Sequence, residues 1–94
     1  MNEELSMFDE ICSRIKELKE REHFSQAHTK ETLNQEYGTR FKVGDISKLQ
    51  QESMNLWHGV DGQENGKPKN VYIRLNESIK RNIKLAVENR ENMK

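Results

Sequence analysis

The residues able to do chemistry in this chain are few: three histidines, one cysteine, and three glycines crowded between His58 and Asn70. Catalysis needs a nucleophile beside a base, paired carboxylates in a cleft, or a metal-ligand set. His23 and His28 flank a polar stretch, His58 lies far along the chain, and Cys12 falls inside an apolar helical stripe, so no spacing matches a zinc site. Cys12 reads as a small buried hydrophobe. Gly59, Gly62 and Gly66 lack a following Gly-Lys-Ser/Thr, so they form no phosphate-cradling loop. The expectation is a chain that is not an enzyme and needs no cofactor or metal. What it does offer is hydrogen bonding and charge. Ser47, Lys48, Gln51 and Asn55 share one arc at helical spacing, and Lys67, Lys69 and Arg74 lie in and just after the glycine-rich stretch. These side chains suit phosphates and base edges. Asp45 and Glu52 in the same helix, with Glu31 and Glu36 in the one before, would repel phosphate, and a merely solvated helix face accounts for the same four residues.

Ninety-four residues support one core, so the expectation is a single domain over 1–94. Apolar residues are 32% of the chain against 34% charged, which makes that core thin and points to completion by a second copy, hence a homodimer, or by a protein partner. A single cysteine and no apolar N-terminal run point to a cytoplasmic protein without a membrane association. The zero net charge conceals a gradient. Residues 1–22 carry seven acids and four bases, whereas residues 66–94 carry eight bases and three acids. A basic end suits phosphate, although Lys and Arg late in a terminal helix also complement its dipole.

The elements that must hold these residues follow from periodicity. Phe8, Ile11, Ile15 and Leu18 recur at three and four, predicting a first helix from about Ser6. Thr29 caps a predicted helix over 30–37 carrying Leu33 and Tyr37, and Gly38 stands where a left-handed residue ends a helix. After a turn at 39–44, Asp45 caps a third helix over 45–57 through Ile46, Leu49, Leu56 and Trp57. Residues 58–70 hold the only proline and predict a flexible loop. Val71, Ile73 and Leu75 alternate with Tyr72 and Arg74, predicting a half-buried strand, and Asn76 caps a last helix through Ile79, Ile83, Ala86 and Val87.

The run from Thr29 to Leu49 resembles the two helices of a helix-turn-helix, with Leu33 and Tyr37-Gly38 at the first helix and turn and Ile46 and Leu49 at the second. With the loop and strand that follow, the predicted α-α-α-β-α order looks like a winged helix of phage or plasmid type, a mainly α fold with a small β element. That resemblance implies a small DNA-binding regulator or accessory protein of a mobile genetic element acting in transcription regulation. Helix 45–57 would enter the major groove of double-stranded DNA through Ser47, Lys48, Gln51 and Asn55. Loop 59–70 would be the wing, with Lys67, Lys69 and Arg74 on phosphate. Residues 69–90 also resemble the strand and first helix of a ribbon-helix-helix repressor, without the second helix that family has. The alternative is a small adaptor or inhibitor that docks on a larger protein through the acidic first helix or the exposed side of the last helix, with Leu85 and Trp57 as candidate anchors, without binding DNA.

Overall fold

The computed structural model describes residues 2–58 and 68–92. Helix α1 (Asn2–Lys16) runs on into a wider π-helical turn at Glu17–Arg21. It is followed by α2 (Gln26–Tyr37), α3 (Val43–His58), α4 (Pro68–Ile73) and α5 (Glu77–Asn92). The first of these is the hub. Met7, Phe8, Ile11, Cys12 and Ile15 are buried along one wide stripe, and α1 packs against each of the other four helices. Leu33 from α2, Ile46 and Leu49 from α3, Val71 and Tyr72 from α4, and Ile79, Ile83 and Ala86 from α5 close over that stripe. Each large side chain fully removed from water contributes about 1.5–3 kcal/mol before entropy is counted. Phe8 and Tyr72 meet edge to face at 5.8 Å, the arrangement the ring quadrupoles favour.

Helix ends differ from the sequence expectation by short, explicable distances. The first helix starts at Asn2 rather than near Ser6, with Glu3 and Glu4 in the first turn, where the dipole favours acids. Ser25, not Thr29, caps α2: its extended backbone lets Oγ accept the His28 N–H at 3.1 Å. Thr29 is buried a turn inside, its hydroxyl donating to the Ser25 carbonyl at 2.8 Å. Gly38 ends α2 at φ 66°, the left-handed conformation expected of it. Helix α3 starts at Val43, and Asp45 on its first turn reaches back to accept the Lys42 N–H at 3.1 Å, the return half of a capping box. Asn76 caps α5 as expected, its Oδ1 accepting the Ile79 N–H at 2.9 Å.

The expected β element is not there. Among the described residues there is no strand, and the fold is all α. Residues 68–73 instead form α4, with Pro68 at its first position, where a missing N–H costs nothing. Val71, Tyr72 and Leu75 turn inward while Ile73 is 56% exposed, a spacing of one and four that fits a helix and breaks the alternation a strand requires. The winged-helix architecture is therefore corrected to an arrangement of five α-helices among the described residues. The expected loop over 58–70 lies, apart from His58 in α3 and the start of α4, outside the described residues. The apolar stripe of the first helix is enclosed within the single chain, while Leu85 of α5 is partly exposed. Phe8, Ile11, Ile15 and Leu18 are each at most 2% exposed within the single chain.

Candidate functional site

The corner between α2 and α3 is built by one asparagine. Asn34 donates from Nδ2 to the Phe41 carbonyl at 2.9 Å, and its Oδ1 accepts from the Phe41 N–H and the Thr39 hydroxyl, both at 2.8 Å. Gly38 and Thr39 donate their N–H groups to the Asn34 carbonyl. The chain therefore reverses in residues 38–42, with Phe41 buried beneath the turn and Arg40 and Lys42 exposed on it. Because α3 begins two residues before Asp45, the corner is close to the short connection of a helix-turn-helix.

Ser47 and Gln51 are exposed on α3, and Lys48 is partly so. Gln26, at the first position of α2, donates to the Ser47 Oγ at 2.8 Å, tying the start of α2 to the outer side of α3. That bond uses an acceptor site of Ser47, whose hydroxyl proton stays free to donate. Lys48 pairs at 3.4 Å with Glu52, a carboxylate that is itself 4% exposed. Asp45 is 8% exposed and used in the cap. Both acids of α3 are thus turned inward, and among its described side chains none of the exposed ones is a carboxylate.

Of the other residues expected at a DNA site, Arg74 is exposed in the turn after α4, not on a wing strand. The side chains of Asn55 and Lys69, and Lys67 altogether, lie outside the described residues, as does the side chain of Trp57. Leu85 is partly exposed on α5. Sequence reasoning passed over Asn34, Gln26, Arg40, Lys42 and Asn82. Asn82 is 8% exposed; it accepts the Arg40 N–H at 2.8 Å and donates to the Ser78 carbonyl at 3.1 Å, clamping the corner onto α5. An asparagine in the last turn before a helix-ending glycine was the one signal in the sequence for Asn34.

Elsewhere charge serves the fold. Arg14 of α1 grips Glu36 of α2 through two hydrogen bonds at 2.9 and 2.6 Å and also holds Glu17. Arg90 of α5 forks onto both oxygens of Glu10, which also accepts the Tyr37 hydroxyl at 2.8 Å. The Arg90 hydrogen bond holds the Glu10 carboxyl below its ordinary range, and the Arg14 hydrogen bond does the same for Glu36. Burial, then the neighbouring Glu10, pushes the Tyr37 phenol up. Burial likewise raises the thiol of Cys12, which leaves it a poor nucleophile and in keeping with its reading as a core residue. No group of three or more histidine, cysteine or acidic side chains among the described residues is placed to hold a metal ion. No described helix is long and apolar enough to cross a membrane.

Among the described residues the chain is all helical, with α2, the corner and α3 packed on the hub helix α1. No protein family, curated protein or solved structure matches the chain.

Proposed function

We propose that this is a DNA-binding protein that presents the outer face of α3 to the major groove, with the bases of the 38–42 corner on the flanking phosphates. The observation that carries this reading is the inward turn of Asp45 and Glu52. It leaves exposed Ser47 and Gln51 on α3, and exposed Arg40 and Lys42 at its start. Donors and acceptors on a helix face without competing carboxylate suit base edges, and bases at its N-terminal end suit phosphate. Gln51 is the described residue best placed to read a base, because Ser47 and Lys48 are each engaged by a neighbour.

Binding of the chain to duplex DNA, followed by fluorescence anisotropy over a salt series, tests this. Replacing Arg40 and Lys42 by Ala weakens binding to every sequence and lowers the slope of log affinity against log salt by about two units. Replacing Gln51 by Ala leaves that slope in place and costs about 1–3 kcal/mol on a selected site, with little effect on random DNA. Variants indistinguishable from the parent, or a parent that fails to bind at micromolar protein, sink the reading. The second reading, a protein-docking module, is favoured by one observation. Met54 of α3 and Ile73 of α4 are 58% and 56% exposed on helices that touch.

A further inference from the structure

The exposed bases among the described residues fall into two groups. Arg21 and Arg90 are ion-paired, to Glu17 and Glu10, and Lys16 is also engaged. The rest, Arg40, Lys42, Arg74, Arg81 and Lys84, are exposed and form no ion pair with a described carboxylate. They occupy two short stretches, the 38–42 corner and residues 74–84. Those stretches are joined: the buried Asn82 side chain accepts the Arg40 N–H at 2.8 Å while its amide is held by the Ser78 carbonyl one turn earlier. Arg81 is the residue next to that joint and is exposed, and Lys84 follows three positions later on the same outward side of α5.

Resting on the DNA reading above, we propose that the N-terminal half of α5 is a second nucleic-acid contact. In it Arg81 and Lys84 take backbone phosphates beyond those held by Arg40 and Lys42, and Asn82 fixes the spacing of the two contacts. Charge complementarity selects the occupant: guanidinium and ammonium groups that pair with no described carboxylate, on a joined corner and helix, match the regular anionic charge of a nucleic-acid backbone. Glu77 and Glu88, also exposed on α5, bracket Arg81 and Lys84, which confines the contact to about one helical turn. The acid-rich first helix stays off the duplex, because its arginine Arg14 is spent on Glu36 and Glu17.

The test uses the whole chain and a 20-base-pair duplex over a salt series, with circular dichroism confirming that each variant is folded. Arg81→Ala with Lys84→Ala lowers the salt slope by about two units, as Arg40→Ala with Lys42→Ala does, and the four changes together lower it by about four. Lys19→Ala with Arg21→Ala, on the π-helical turn, leaves it unchanged. If the Arg81/Lys84 pair behaves as the parent while the Arg40/Lys42 pair does not, the α5 contact is wrong and the α3 reading stands. If the Lys19/Arg21 pair lowers the slope as much as the Arg81/Lys84 pair, overall charge rather than an α5 contact is at work and the proposal fails. If the parent chain does not bind DNA, both proposals fall together.

Discussion

At the scale of single residues, conformational necessity and side-chain reach decide more than residue class. Gly38 is the clearest case. At φ 66° a side chain costs about 1–2 kcal/mol, and a Cβ there would sit 2.6 Å from Nδ2 of Asn89. That nitrogen is committed, donating to the carbonyls of Tyr37 and Gly38 at 2.9 and 3.0 Å. Gly38→Ala therefore carries two penalties, backbone strain and a displaced Asn89, and a melt should show a loss above the strain alone. Introducing the same change into an Asn89→Ala background isolates them. The steric part vanishes there, so the cost of Gly38→Ala shrinks toward the strain value; an equal cost in both backgrounds means Asn89 moves aside freely. The need for glycine at 38 was legible in the sequence, since a lone glycine after Leu33 and Tyr37 marks a helix end. Asn89 was not, because its partners stand more than fifty residues away and no local pattern announces such a pair.

Among the elements, legibility follows how many physical constraints agree. The first and last helices were readable from their stripes, because apolar period and burial point the same way at Phe8, Ile11 and Ile15 and at Ile79, Ile83 and Ala86. Residues 71–75 are less legible because β-branched Val71 and Ile73 favour a strand, whereas among the described residues the neighbours on offer are helices, with no second strand to pair. A short helix and the turn that follows it satisfy their own backbone and still bury Val71, Tyr72 and Leu75. Helices also exchange charge in ways spacing cannot reveal: Glu10 and Glu36 tie α1 to α5 and α2. Both carboxyls titrate lower in the fold than their ordinary value of 4.5. Their contribution is thus complete above that pH and lost as the pH falls through the depressed values. With side chains 38% and 42% exposed, screening limits each pair to about 0.2–1 kcal/mol. Glu36→Gln should accordingly be less stable than the parent near pH 6, and the gap should narrow as the pH falls below 4.5 and through the depressed value of Glu36. A gap independent of pH shows that the amide keeps the bond to Arg14 and that charge contributes nothing.

For the molecule as a whole, composition argued one way and packing argues the other. A chain 34% charged and 32% apolar suggested a core too thin to stand alone, but α1 spends nearly its whole apolar stripe on the four helices around it, and the long aliphatic side chains meet within one chain. Composition counts residues, whereas enclosure depends on where they lie, and placing five of them on one central helix is the economical solution. On the expectation that this core suffices without a second copy, folding is independent of concentration. The melting midpoint should be the same at about 1 and 100 μM protein, whereas a dimer sharing its core gains stability by mass action, its midpoint rising measurably over that range. The result bears on function as well as on folding. A two-fold dimer would read paired half-sites about one helical turn apart, whereas a chain folded as a monomer and reading DNA through one α3 should select a single undivided site. Selection from random duplexes then returns a short motif without inverted symmetry, and a palindrome together with a concentration-dependent midpoint would show that an interface beyond the core visible here completes the protein.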